Sequence, residues 1–309
     1  MTKFARWTTF PPVLPTDDKV VVVGPTRLVV TQMDRPKGRG KKLQHTPVKD
    51  KALELGLEVY QPSNINSEES IKKLREINPD FLIVVAYGQI LKKQVLDIPN
   101  IDTLNVHASL LPKYRGAAPI NWSILDGEEE TGVTIMRVEE GLDTGDMISK
   151  VTTPIDDEDD AISIHDKLSR LGGELLISTL DDIVEERVVY TPQKDEESSY
   201  APMLSREDGR IEWGKSAIEI FNQVRGLKPW PGSFTHYKNQ QIKVHKLGII
   251  DKPSLGEPGK IIDVSNDGIY VNTKDKVVII KELQFPNKRS MQVSEYLAGN
   301  TIDIGIILK

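Results

Sequence analysis

The sequence predicts a larger α/β domain built on a mainly parallel sheet, followed by a smaller β-rich domain. Three observations carry that reading. From Val29 to Asn105 strand-like and helix-like stretches alternate, the pattern of parallel strands joined by crossover helices. Thr191 to Pro202 is polar, aperiodic and rich in Glu, Ser and Gln, as expected of a linker. Beyond it, short apolar runs spaced by Gly, Pro and Asn predict a small β-barrel. A chain of 309 residues also exceeds what one core usually organises. The expected division is 1–190, a linker at 191–205, and 206–309.

The elements follow in order. Val29 to Gln32 is a β-branched strand leading into a basic loop. Thr46-Pro47 marks a helix start, Val48, Ala52 and Leu55 recur at helical spacing, and Gly56 ends the helix. Val59-Tyr60 is a short strand. Ser67 caps a helix carrying Ile71, Leu74 and Ile77, which Asn78-Pro79 terminates. Phe81 to Ala86 is continuously apolar, as in a strand buried on both faces. Leu104 to His107 is the next strand, Ala118 to Leu125 a helix, and Gly132 to Val138 an alternating strand. The acidic run Asp156 to Asp160 precedes a long amphipathic helix, where negative charge complements the helix dipole; a metal site is the weaker reading. A helix at Ser216 to Arg225 and strands at 241–247, 259–264, 268–272 and 277–283 complete the chain.

Composition narrows the chemistry. With 38% hydrophobic and 28% charged residues this is an ordinary globular protein. No apolar run reaches the roughly 20 residues of a membrane span, and no signal peptide is evident, so a cytoplasmic location is expected. The absence of cysteine excludes disulfides, a thiol nucleophile and cysteine-ligated metal centres. Five scattered histidines lack metal-ligand spacing, so no metal is expected. The net charge of −6 hides local basic regions. Residues 206–309 hold 16 basic against 12 acidic side chains, and Asp34 to Lys51 is denser still.

Asn105-Val106-His107 is the most informative tripeptide. Alternate residues of a strand project from one face, so an amide and an imidazole converge. That pair suits acyl transfer, since both can donate to the oxygen of a tetrahedral intermediate and imidazole moves protons near neutral pH. Taken alone, Asn-x-His fits a packed or surface histidine better than a catalytic one.

The run from Asn105 through Leu110-Leu111-Pro112 and Arg115-Gly116-Ala117-Ala118-Pro119 to Ile120 resembles the signature of the 10-formyltetrahydrofolate-dependent formyltransferases. Gly141 to Met147 is similar to the segment bearing that family's catalytic carboxylate, with Asp143 rather than Asp146 on the matching position. The resemblance implies a Rossmann-like catalytic domain, an OB-like barrel behind it and 10-formyltetrahydrofolate as co-substrate. It further implies that Asn105 and His107 polarise the formyl carbonyl while Asp143 orients or charges the histidine. Ser109, Leu110, Leu111 and Pro112 match its folate-binding segment, and Tyr87, Gly88 and Gln89 the loop beside the pterin. With neither thiol nor metal, direct attack by the acceptor amine is expected, without a formyl-enzyme intermediate.

The acceptor is read elsewhere. Thr31 to Leu43, with Arg35, Lys37, Arg39, Lys41 and Lys42, resembles the basic loop that the members acting on methionyl-initiator-tRNA direct at the acceptor arm. Arg and Lys suit phosphate contacts, and Gly38 and Gly40 let such a loop adapt. The resemblance thus implies a monomeric enzyme of translation initiation. An amino-sugar nucleotide or glycinamide ribonucleotide as acceptor, and a catalytically inactive RNA-binding relative, are the alternatives. Trp230, between two prolines, is expected to pack in a core rather than stack on a base. Met1 to Leu28 departs from the family pattern: Lys19 to Gly24 reads as a strand, yet four residues separate it from the next, too few for a parallel crossover.

Overall fold

The structure is a computed structural model that describes residues 20–23, 26–37 and 42–309. These form two compact units, one taking residues up to 116 with 131–153 and 165–200, the other 117–130, 154–164 and 201–309.

In chain order the first elements are β1 (Val20–Val23), β2 (Leu28–Thr31), β3 (Arg35–Lys37), β4 (Lys42–Gln44), α1 (Pro47–Glu54), β5 (Glu58–Tyr60) and α2 (Glu68–Ile77). Then come β6 (Phe81–Val85), α3 (Lys93–Leu96), β7 (Asp102–His107), β8 (Arg115–Gly116), α4 (Pro119–Leu125), β9 (Glu130–Arg137), β10 (Met147–Pro154), α5 (Ala161–Val184) and β11 (Tyr200–Ala201). Seven strands form one sheet in the order β10-β9-β7-β6-β1-β2-β5. β2 pairs with β5, and β6 with β7, in parallel. β1 is antiparallel to both β2 and β6, so β5, β2, β6 and β7 share one direction and β1 lies reversed between them. The sheet is therefore the expected Rossmann-like one with a reversed strand at its centre. The cause is the short connection: the four residues after Val23 allow a turn back into an adjacent antiparallel strand but not a crossover.

Alternate residues of β2 feed the two faces. Leu28 and Val30 join Ile71 and Leu74 of α2 with Leu82, Leu91 and Val95, while Val29 packs with Val48 and Ala52 of α1. Each such Val, Leu or Ile side chain, when fully buried, contributes about 1.5–3 kcal/mol. The helix boundaries obey local chemistry. Thr46 caps α1 by accepting from the Lys49 amide at 3.1 Å, with Pro47 at its first turn. Ser67 caps α2, and Asn78 ends it in a left-handed conformation at φ 50°.

The second unit adds α6 (Ala217–Gly226), β12 (Ser233–Tyr237), β13 (Gln240–Pro253), β14 (Ile261–Ser265), β15 (Gly268–Asn272), β16 (Lys276–Gln284), β17 (Met291–Gln292) and α7 (Val293–Leu297). Its strands are ordered β12-β13-β16-β15-β14, with β17 beside β16 and antiparallel pairing throughout. Residues 305–309 join the two outer strands. Ile261 of β14 donates to the Ile306 carbonyl at 2.8 Å, and His236 of β12 exchanges amide bonds with Lys309 at 2.7 and 3.2 Å. This segment closes the sheet towards a barrel around Trp213, Ile220, Val244, Val271 and Ile280. Ser216 and Glu219 form a capping box at the start of α6.

One expectation changes here. Trp230 is 56% exposed; it stands in the short turn after α6, and the core position is held by Trp213, whose indole donates to Thr235 at 3.0 Å. The stretch read as linker is bonded along the first unit as far as Ser199. Thr191 exchanges two amide bonds with Met147, and Ser199 accepts from the amides of Tyr114 and Arg115. The acidic run does serve a helix start: Asp160 accepts from the amides of Ile162 and Ser163, each at 3.0 Å. Among the described residues no group of three His, Asp or Glu side chains is arranged to hold a metal. No described helix is long and apolar enough to cross a membrane.

Candidate active site

Because β5, β2, β6 and β7 share a direction, their carboxyl ends lie along one edge of the sheet, where open α/β sheets bind ligands. The basic hairpin follows β2, the Tyr87 loop follows β6, and His107 ends β7. Three of the segments singled out in the sequence thus leave the same edge.

The trio converges. Asn105 and His107 share a face of β7, and Asp143 reaches both from the loop between β9 and β10. Asn105 Nδ2 donates to Asp143 Oδ1 at 3.4 Å, and His107 Nδ1 stands 3.7 Å from Asp143 Oδ2. That carboxylate oxygen also accepts the Gly116 amide at 2.9 Å. Asp143 itself is left-handed at φ 51°, a conformation that Asp tolerates better than most residues. His107 is 5% exposed, and its Nε2 lies 2.9 Å from the Tyr114 carbonyl. A carbonyl only accepts, so the proton of the neutral ring sits on Nε2 and Nδ1 turns its lone pair towards Asp143. The ring therefore has one nitrogen committed to the backbone and one facing the carboxylate.

The segment after β7 is braced from β9. Thr134 Oγ1 donates to the Ser109 carbonyl at 2.7 Å and accepts the Leu111 amide at 3.1 Å, while Ser109 Oγ donates to the Lys113 carbonyl at 2.7 Å. Lys150 donates to the Leu111 carbonyl, and Leu111-Pro112 is a cis peptide. Ser109 and Leu111 are buried, whereas Leu110 and Pro112 are half-buried. Of the Tyr87-Gly88-Gln89 group, two side chains turn inward. Tyr87 is 1% exposed in the core beneath the sheet, and Gln89 accepts the Ile65 amide at 2.9 Å. The Tyr87 hydroxyl is buried without a hydrogen-bond partner among the described residues, and burial pushes its pKa up to about 12. Gly88, at φ 73°, is left to present backbone.

The described ends of the basic loop, β3 and β4, pair antiparallel as the stem of a hairpin, with Arg35 opposite Gln44 and Lys37 opposite Lys42. Arg35 is exposed, and Arg39 and Lys41 lie outside the described residues. The hairpin's foot is fixed by Asp34, which accepts from Lys49 Nζ at 2.7 Å and Gln61 Nε2 at 2.9 Å. Those hydrogen bonds, Lys49 first, hold the Asp34 carboxyl below its ordinary pKa.

Several residues that shape the site carry no side-chain signal in the sequence. Tyr114 and Gly116 act through backbone groups, and Thr134 is an ordinary strand residue. Gln193 donates to the carbonyls of Asp143 and Gly145, both at 2.8 Å.

Comparison with known proteins defines the class first. The sequence family described as formyl transferase matches residues 17–180, and the formyl transferase C-terminal domain matches 203–301. The chain belongs to the formyl transferase family. Within it, the chain is 51% identical to the methionyl-tRNA formyltransferase of Clostridioides difficile (strain 630), over 91% of each chain. It is 48% identical to that of Clostridium tetani (strain Massachusetts / E88), over 96% of each. Among solved structures, the fold is shared with the N-formyltransferase from Helicobacter canadensis, in complex with folinic acid and dTDP-3-aminofucose. That match has a TM-score of 0.60 at 20% identity and covers 79% of this chain and 86% of that one. The sugar 3N-formyl transferase WlaRD matches with a TM-score of 0.59 at 23% identity, over 80% and 83% of the two chains.

Proposed function

We propose that the protein transfers the formyl group of 10-formyltetrahydrofolate to the amino group of methionyl-initiator-tRNA. One observation carries this: Asn105, His107 and Asp143 meet at the strand edge in a chain 51% identical, over nearly its whole length, to a methionyl-tRNA formyltransferase. The folate supplies the activated carbon, so the chain need only orient, donate and move a proton.

In this reading one hydrogen of Asn105 Nδ2 stays on Asp143 and the other serves the developing oxyanion. The Tyr114 carbonyl claims the Nε2–H of His107, so oxyanion stabilisation falls to Asn105 rather than to both side chains. Nδ1 of His107 takes the proton released by the attacking amine, and the imidazolium so formed faces the Asp143 carboxylate. The amine attacks the formyl carbon directly. As the tetrahedral intermediate collapses, the bond from that carbon to N10 of the folate breaks, and N10 leaves with the proton that His107 had taken, so tetrahydrofolate and the formylated amine are the products. Ser109, Leu110, Leu111 and Pro112, with Gly88, form the folate side of the site; Tyr87 and Gln89 support it from beneath. Arg35, Lys37, Arg39, Lys41 and Lys42 meet tRNA phosphates, aided by the basic surplus of 206–309. The enzyme acts as a cytoplasmic monomer, with a catalytic domain at 1–190 followed by a connecting segment at 191–205 and the C-terminal domain at 206–309.

The test is transfer of labelled formyl from 10-formyltetrahydrofolate to methionyl-initiator-tRNA, with glycinamide ribonucleotide and an amino-sugar nucleotide as control acceptors. Faster transfer to either control, or none to any acceptor, overturns the proposal.

A further inference from the structure

The loop that carries Asp143 poses a mechanical problem. β9 runs antiparallel to β7, with Arg137 opposite Leu104 and Thr134 opposite His107, so the chain leaves β9 at the far end of β7 from His107. The Val138 amide donates there to the Thr103 carbonyl at 2.8 Å, and the Arg137 amide donates to the backbone carbonyl of Asp146 at 2.9 Å. From that base the loop must extend to bring one carboxylate to Asn105, His107 and Gly116. Gly141, Leu142 and Thr144 around the tip are exposed, so packing does not hold it.

What meets the tip is an amide from a distant part of the chain. Gln193 Nε2 donates to the carbonyls of Asp143 and Gly145, each at 2.8 Å, pinning the residue that carries the carboxylate and the one two places on. The other end of the amide is specified as well, since Gln193 Oε1 accepts from Arg115 Nε at 2.9 Å. Reversing the amide would set its NH2 against a guanidinium N–H and its oxygen against two carbonyls, so a single orientation is compatible with all three partners. Arg115 in turn pairs with Asp195 at 2.9 Å, and the amide of its neighbour Gly116 donates to Asp143 Oδ2. Backbone and carboxylate of Asp143 are thus fixed through one connected set of groups. The segment holding Gln193 is itself anchored, two residues earlier, by the paired amide bonds between Thr191 and Met147.

We infer that Gln193 is a positioning residue for Asp143, making the 190–199 segment a functional part of the site rather than a passive connection. This rests on the catalytic reading of Asp143. A loop tip displaced by an ångström carries its carboxylate out of register with His107 and Asn105, an error that lowers catalysis by roughly 10- to 100-fold. Gln193→Met keeps the volume and removes all three hydrogen bonds. Gln193→Glu keeps the length but sets negative oxygen against the two carbonyls, so it should not rescue.

The test measures kcat and KM for wild type, Gln193→Met, Gln193→Glu, Asp143→Asn and Gln193→Met/Asp143→Asn, using 10-formyltetrahydrofolate and methionyl-initiator-tRNA. The slow variants are followed in single turnover with enzyme in excess. The expected result is a kcat 10- to 100-fold lower in both Gln193 variants, with both KM values within about twofold of wild type. In the Asp143→Asn background, Gln193→Met should change the rate by less than about threefold, because the group it positions is gone. Amide exchange should accelerate over 139–146 alone. An impaired Asp143→Asn beside a near-native Gln193→Met overturns the inference alone. So does an equal fractional loss in both backgrounds, a loss carried by KM, or exchange accelerated throughout the unit. A near-native Asp143→Asn overturns the catalytic reading itself, and the inference with it.

Discussion

Replacing Asp143 by Asn changes almost no volume and removes one charge, so its effect follows from the contacts of the carboxylate. One oxygen accepts from Asn105, and the other accepts from the Gly116 amide while facing His107 Nδ1 at 3.7 Å. An amide has a single acceptor oxygen. If it serves Gly116, its NH2 meets the NH2 of Asn105 and turns aside the proposed oxyanion donor; in the opposite orientation it meets the Gly116 N–H. The larger loss is electrostatic. When His107 gains the proton of the attacking amine, its attraction to a carboxylate at 3.7 Å is about 4 kcal/mol at an effective dielectric constant of roughly 20. Losing all of it would slow the chemical step about 10³-fold, and partial screening brings the expectation to roughly 10²- to 10³-fold. Steady-state formyl transfer with both substrates varied should show the loss in kcat, with KM little changed, because the charge pair exists only as the reaction proceeds. Thermal unfolding near the wild-type Tm establishes that the variant is folded. A folded variant with a kcat less than tenfold reduced, or a loss carried by KM, would refute the assignment of Asp143 to the charged intermediate state of His107.

Tyr87→Phe should stabilise the protein by about 1–3 kcal/mol in urea unfolding, by removing a buried hydroxyl that lacks a partner among the described residues. Because its folded-state pKa is raised to about 12, Tyr87 contributes stability that is complete below about pH 10 and is lost as pH rises through 12; the Phe variant should lack that loss. Its activity should be unchanged, and a raised KM for the folate would mean that the phenol touches ligand. Replacing Arg35, Arg39, Lys41 and Lys42 by Ala should raise KM for the tRNA and leave kcat little altered. The slope of log affinity against log salt should fall by about 1 per lost phosphate contact, and an unchanged slope would remove the hairpin from the interface. Gly145→Ala would place a methyl group 2.1 Å from the Arg137 carbonyl, shifting the Asp143 loop. A kcat loss of at least tenfold is expected, and native kinetics would show that the loop absorbs the clash elsewhere.

The parts legible in the sequence were those whose cause is local. Thr46, Ser67 and Ser216 cap the helices that follow them, and the period-2 geometry of β7 brings Asn105 and His107 to one face. The short connection after Val23 excluded a crossover, and the antiparallel pairing of β1 is what that constraint permits. What escaped depends on contacts between distant residues. A polar stretch containing Gln193 and Ser199 is composed like a linker, yet its polar groups meet backbone of the first unit. Tyr87 sits within a loop matched to folate binding, and only the packing shows its ring in the core. Trp230 lies between two prolines and Trp213 just before Gly214, so each stands beside a turn-forming residue, and only the packing separates the exposed indole from the buried one.

The closure of the second unit by residues 305–309 also has a bearing on how that unit is made. Without it β14, and the part of β12 beyond the pairing of Phe234 with Ile211, would present open hydrogen-bonding groups, the kind of edge on which foreign strands assemble. The bond between His236 and Lys309 spans 73 positions, so the ribosome synthesises every other strand of the unit before the segment that seals it. During that interval the nascent domain carries unprotected edges beside an exposed apolar interior. Holding its partners off for those seconds is a task for chaperones or for rapid collapse of the local hairpins, and a chain released early would enter the cell as a template for aggregation.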